Sequence, residues 1–365
     1  MENHNGHVDC HTMEHHPVGL EDFEILKVVG QGAFGRVYQV RRSDTSETYA
    51  MKVIRKDKIM EKNHSEYMKS EREILTKVDH PFIVQLSSLF LIKLTSVMQT
   101  KYRLYLVLDF VNGGDLFFQL YHQGLFRPYD MWHFFFSKED LARDYTAEIV
   151  SAVSHLHVNG IMHDLKPENI LVEADGHVRP CNVLSFAKQF DENTRSNSMC
   201  GTSAYMAREI ILGKGHDKAA DWWSVGILLY EMLTGKLPFI GGNRQKIQQK
   251  VMRDKIKLPT YLSSEVHSLL KGLLQKVAIK RRGSGPGDSE EIRSHKWFKL
   301  INQKKLEAWK IKPFRPEVTG KHCVANFEDC WTSLPVLDSP VASLKCDENP
   351  FKGFTYVRPE ALILQ

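Results

Sequence analysis

The chain has little cysteine and spaces it poorly for disulfide or metal chemistry. Its six cysteines, Cys10, Cys181, Cys200, Cys323, Cys330 and Cys346, form no C-x-x-C pair and no regular framework, so reduced thiols are expected. No uninterrupted apolar run is long enough to span a bilayer, and the start, MENHNGHVDCHTMEHH, has neither a basic n-region nor an apolar h-region. Those absences point to the cytoplasm, with the nucleus also open, and to no membrane partner. Dense basic blocks interleaved with aromatics are missing too. The formal charge of +5 is spread along the chain, and no nucleic-acid partner is expected. What is present is apolar material: 365 residues, 42% hydrophobic against 25% charged, suffice for one large or two medium cores. His4, His7, Cys10, His11, His15 and His16 could chelate a transition metal, but no second cluster completes a site. Residues 1–22 read instead as a solvated, disordered tail.

From Phe23 the pattern is strand, glycine turn, strand: FEILKVV, GQGAFG, RVYQVRR. A third strand, ETYAMKVIRK, alternates so that Ala50, Lys52 and Ile54 share a face, which points a lysine among apolar neighbours. The next segment, SEYMKSEREILTKV, has helical spacing with Tyr67, Glu71, Ile74, Leu75 and Val78 on one stripe. An inward carboxylate is costly unless paired, and Lys52 is its logical partner. RLYLVLDF then closes a small β-rich lobe. Beyond NGGD the chain turns helical. In EDLARDYTAEIVSAVSHLHVNG the residues Leu141, Tyr145, Ile149, Ala152, Val153 and Leu156 share a face, and Gly160 ends the helix. HDKAADWWSVGILLYEMLTG is apolar almost all round, as a central core helix should be, and further helices are expected near Ser264 to Lys276 and Asp288 to Phe298. After about Pro313 the sequence is irregular, and its end, DENPFKGFTYVRP, must dock or stay disordered.

Gly30, Gly32, Phe34, Gly35 and Val37 spell GxGxFGxV between two strands, and glycines let backbone N–H groups approach phosphates closely. A dinucleotide fingerprint would need a helix next, and a strand follows instead, which excludes that reading. Further on, HDLKPEN carries Asp164, Lys166 and Asn169. With Lys52 and Glu71, these motifs resemble the eukaryotic protein kinases. The match runs over about Phe23 to Phe298, and in detail it is most similar to AGC-type kinases, above all the plant kinases of a small-subunit ribosomal protein.

The resemblance implies an α+β, bilobal protein-kinase-like fold. Its small β-rich N-lobe would span about 23–111 and its large, mainly helical C-lobe about 112–298, followed by an AGC-type extension over 299–365. It also implies ATP and Mg²⁺ as cofactors and transfer of the γ-phosphoryl group to a serine or threonine. Lys52 and Glu71 would serve ATP with the glycine loop; Asp164 and Lys166 would be catalytic, and Asn169 would bind metal. Ser198, Thr355 and the weaker Ser339 would be phosphosites, the first two for upstream activating kinases. Asp115 and Glu168 would favour a protein substrate with basic residues near its hydroxyl. Glu209 would pair with Arg281, and FKGFTY is similar to the motif by which such kinases dock their own C-terminus.

The sequence departs from that pattern where metal is held. After HV the family runs close to MLTDFGLAK, whereas this chain reads RPCNVLSFAK, one residue longer. The metal-binding aspartate therefore falls on Asn182 counting forward or on Val183 counting back, and neither is an anion. An amide is a poorer ligand for hard Mg²⁺ and valine is none, so weakened metal binding and impaired turnover are expected. The arginine before the catalytic aspartate is lost, leaving His163 there. Ala204, Arg208 and Arg282 are further departures. Two stretches, near 91–98 and 128–138, look foreign. With the altered metal loop they read either as functional inserts or as retained-intron and shifted-splice products. Three alternatives stay open: an active kinase, a nucleotide-holding pseudokinase scaffold, and a chain that is not the natural product.

Overall fold

The computed structural model describes residues 19–32, 34–61, 65, 68, 80–83, 96–122, 138–163, 165–181, 188–189, 203–213, 215–310, 314–336 and 350–357. The β-rich segments form β1 (Phe23–Gly32), β2 (Gly35–Arg42), β3 (Thr48–Arg55), β4 (Ser96–Gln99) and β5 (Arg103–Asp109). They make an antiparallel sheet in the order β1-β2-β3-β5-β4, extended at the β4 edge by a tail strand, Tyr356–Val357. Alternation along β3 sends Tyr49, Met51 and Val53 to one apolar cluster with Tyr38, Val40 and Val107. Ile54 joins the main core on the other face with Leu104 and Leu106.

The stretch near 91–98 that looks foreign in sequence enters the described residues only at its end. Residues 96–98 are part of β4: Val97 pairs with Leu106 and is fully buried, and Met98 pairs with Tyr105 and is buried on the opposite face. The reason is the pattern itself. Consecutive apolar residues satisfy both faces of a sheet whose two faces are each covered. Lys138, counted in the other stretch, is the first residue of the next helix. Residues 91–95 and 128–137 lie outside the described residues, as do Glu71 and the helix expected around it apart from the helical Ser65 and Met68.

The helical part is organised by two long helices packed on each other, Lys138–Val158 and Ala219–Thr234. The first buries the stripe Leu141, Tyr145, Ile149, Ala152, Val153 and Leu156, and the chain turns away at Gly160 with φ 70°. The second is buried from Ala219 to Leu233 and stops at Gly235, whose φ of 69° and N–H bond to Glu231 form a left-handed cap. Burying Ile227, Leu228, Leu229 and Leu233 contributes about 1.5–3 kcal/mol each before the entropy of ordering them. Two helices differ from expectation. One spans Ser264–Leu273, stopping before Lys276. The other breaks into Ser289–Arg293 and a 3₁₀ turn at Lys296–Phe298, because the His295 side chain accepts the Trp297 N–H and starts a new turn.

Four short strands frame the cleft: β6 (Ile161–Met162), β7 (Ile170–Val172), β8 (Val178–Pro180) and β9 (Lys188–Gln189), with β6 paired to β9 and β7 to β8. The described part of the tail docks. Gly320 accepts a bond from Asn112, His322 accepts one from Gln39, and Phe327 stacks on Phe110 with centroids 5.6 Å apart. Phe351 and Phe354 are fully buried against the main core.

Candidate active site

β1 and β2 form the glycine hairpin, with Gly30 opposite Val37 and Gly32 opposite Gly35. A Cβ on Gly35 would lie 1.8 Å from the Val53 carbonyl oxygen, so the close approach of β2 to β3 requires glycine there. Phe34 packs on the main core, and its carbonyl accepts the Arg55 N–H. Lys52 sits in register between Val37 on β2 and Leu106 on β5, directly beside this hairpin. Its expected partner Glu71 lies outside the described residues.

The segment that leads into Lys166 is held from below. Asp221 accepts the His163 N–H and, through Oδ2, a 2.8 Å bond with His157 Nε2, while His157 Nδ1 faces Asp288 at 3.3 Å. Burial works against a charged His157, but the bonds to Asp221 and Asp288 outweigh it and raise the ring to about 9. His163 stands in place of the lost arginine and is itself buried, with Nε2 3.0 Å from the Cys181 carbonyl oxygen. A side chain bonded there is turned into the protein and is not presented toward the surface. Asp164 lies outside the described residues. Lys166 precedes the 3₁₀ turn Pro167–Asn169, and Asn169 is buried with its carbonyl accepting the Cys181 N–H at 2.8 Å.

Cys181 shows what converges in the cleft. Burial pushes its thiol up to about 12 and Asp115 adds to that, while the ammonium groups of Lys52 and Lys166 pull the other way. A lysine from each lobe therefore lies within electrostatic reach of one point, which suits polyphosphate binding. Among the described residues, no group of three or more His, Cys, Asp or Glu could hold a metal ion. Asn169 supplies a neutral amide, and Cys181 a neutral, soft thiol beside it. Asn182 and Val183 lie outside the described residues.

The rim is acidic. Asp115 caps the helix Leu116–Tyr121 by accepting the Phe118 N–H at 2.8 Å. Burial, with the charges of Glu168 and Glu328, pushes its carboxyl up to about 6. Sequence reasoning missed Glu231, which is buried and accepts the hydroxyls of Tyr121 and Tyr205. The available signal was a second carboxylate, after Asp221, inside an otherwise mostly apolar helix. His157, in SHLHV, and Arg179, in HVRP, were also missed; each is a polar residue among buried neighbours.

Farther out, Arg281 is buried and grips Glu209 with both terminal nitrogens, at 2.6 and 3.0 Å. Arg208 begins the short helix Arg208–Ile211, Ala204 is buried, and Arg282 donates to the Glu291 carbonyl. Thr355 is exposed, and its hydroxyl accepts a 3.4 Å bond from Gln99. Ser198 and Ser339 lie outside the described residues. Among the described residues, Cys181, Cys323 and Cys330 are free thiols, and no helix is long and apolar enough to cross a membrane.

Comparison with known proteins agrees with this geometry. Residues 23–298 match the protein kinase domain and residues 318–356 the protein kinase C terminal domain. The chain is 68% identical over 346 residues to the serine/threonine-protein kinase AtPK2/AtPK19 of Arabidopsis thaliana, covering 94% of this chain and 69% of that protein. It is 67% identical to AtPK1/AtPK6 of the same plant, covering 94% and 70%. It is 40% identical to the ribosomal protein S6 kinase beta of Caenorhabditis elegans, covering 94% and 61%. The bilobal fold, the glycine hairpin beside Lys52, the Asp221-held turn and these matches lead to one conclusion: the chain belongs to the protein kinase family, as an AGC-type serine/threonine kinase of the S6-kinase-like kind.

Proposed function

We propose that this chain is directed to serine or threonine hydroxyls preceded by basic residues, and that its turnover is severely impaired. The acidic rim carries the first half. Asp115 and Glu168 act on each other through space, Glu328 from the tail adds a third carboxylate, and His122 opposes them. Such a group recognises guanidinium or ammonium side chains. ATP, the family's phosphoryl donor, would be gripped by Lys52, Lys166 and the backbone of the glycine hairpin.

The impairment rests on chemistry. Losing one preorganised electrostatic contact at such a centre costs about 3–4 kcal/mol of barrier. Neither Asn182 nor Val183 provides the missing anion, and the segment is one residue too long. By family, upstream kinases would act on Ser198 and Thr355, and the chain would signal to translation and growth in the cytoplasm.

A second reading, a pseudokinase scaffold that holds nucleotide without turnover, is favoured by the same pairing of converging lysines with a missing metal anion. The two are separated by incubating the purified chain with radiolabelled ATP, Mg²⁺ and an Arg-rich serine peptide, alongside a nucleotide thermal-shift assay. Slow transfer, abolished by Asp164→Asn and preferring the basic peptide, supports the kinase. A thermal shift without transfer supports the scaffold, and neither signal overturns both.

A further inference from the structure

The resemblance puts a methionine where this chain has Arg179, and no motif accounts for the change. Arg179 lies on β8, opposite Leu171 of β7, and is buried with 6% of its side chain exposed. Its guanidinium reaches three segments. Nη1 donates to Glu173 at 2.8 Å, beyond β7. Nη2 donates to the Ile83 carbonyl at 2.9 Å and to Asp109 at 3.4 Å, the last residue of β5. Burial drives the Asp109 and Glu173 carboxyls up, and Arg179 is the first group to oppose that in each case.

These partners lie on both sides of the cleft. Asp109 ends the sheet that carries Lys52, and the chain crosses to the helical lobe immediately after it. Glu173 and Arg179 flank the β7–β8 hairpin, which continues the Lys166–Asn169 turn. We propose that Arg179 is a positioning residue, a clamp joining the two lobes behind the cleft and setting the spacing between Lys52 and the Lys166–Asn169 turn. A rigid, multidentate guanidinium holds three acceptors at fixed separations, which an apolar thioether of similar length does not. The chain thus carries its own bracing at the start of the altered segment, three residues before Asn182.

The test uses the full chain and two readouts, of which only nucleotide affinity rests on the kinase reading. In Arg179→Met, hydrogen exchange without nucleotide should speed up by about tenfold across residues 104–113, while the Ala219–Thr234 helix is unchanged. The dissociation constant for ADP should rise by about tenfold or more, since small misplacements of binding groups are felt strongly. Arg179→Met also strands two buried carboxylates, so the decisive variant is Arg179→Met/Asp109→Asn/Glu173→Gln, which neutralises them. The clamp requires the thermal midpoint to recover in that variant while the exchange rate and ADP affinity do not. Recovery of all three would reduce Arg179 to charge compensation and overturn the proposal, as would unchanged exchange over 104–113 in either variant. If Arg179→Met does not fold, the triple variant decides. If ADP binds neither variant nor parent, the nucleotide reading falls and the exchange result still judges the clamp.

Discussion

The helical lobe and the cleft above it treat buried charge differently. In the lobe the partners are supplied: Asp221 has His157 and the His163 N–H, Arg281 has Glu209, Glu231 has two tyrosine hydroxyls, and Glu148 has His177 at 2.5 Å. In the cleft the balance shifts. Asp115 accepts one backbone N–H, and the described residues converge two lysines without gathering a metal site. The first arrangement is that of a scaffold, whose polar groups must be satisfied for the chain to fold at all. The second brings charged groups from both lobes, Lys52, Lys166 and Asp115, to act on one point, the Cys181 thiol.

That contrast can be broken most forcefully at Asp221. Asp221→Ala should cost about 3–5 kcal/mol in urea unfolding, because it removes one of the two carboxylates paired with buried His157 and the acceptor of the His163 N–H. Next comes the metal segment. Asn182→Asp alone should leave peptide phosphorylation low, and the same change with Val183 deleted should raise kcat by about 100-fold or more over the single variant. A large gain from the single change would show that the extra residue is harmless.

The tail follows. Phe351→Ala with Phe354→Ala should release the tail at a cost of about 3–5 kcal/mol per ring, read as faster exchange at Tyr356 and Val357. His157 makes the scaffold pH-sensitive in a defined direction. Its folded pKa, about 9, lies above the ordinary value of 6.5, so its contribution to stability is complete below about 6.5 and is lost as pH rises through about 9. His157→Phe should flatten the urea midpoint between those values. Last, Asp115→Asn keeps a cap acceptor for Phe118 but removes a charge, and preference for an Arg-rich over a neutral peptide should fall about fivefold. In the parent chain that preference should fade as pH falls through about 6, where Asp115 takes up its proton.

The legibility of the sequence follows the same divide. Gly160 ended its helix where the pattern placed it, and the stripe from Leu141 to Leu156 is buried as its spacing required. The Glu209–Arg281 pair was legible through family motifs. The strand Ser96–Gln99 was not legible because Val97 and Met98 are buried on opposite faces and leave no alternation to announce it. Glu231 and Arg179 were missed for another reason. Their partners, Tyr121 and Tyr205 in one case and Ile83 and Asp109 in the other, are distant in sequence, and periodicity records only near neighbours.

The sequence by itself determined the family, the glycine hairpin, the run of helices and the lack of an anion at Asn182 or Val183, since each is written in local residue types and spacings. Tertiary structure decided which buried charges are satisfied. It turned His163 toward Cys181, folded the tail's two phenylalanines into the core and placed Arg179 between the lobes. The physical reason is that a buried charge is settled by whatever donor or acceptor the folded chain brings within about 3 Å, and residues far apart in sequence supply most of those groups.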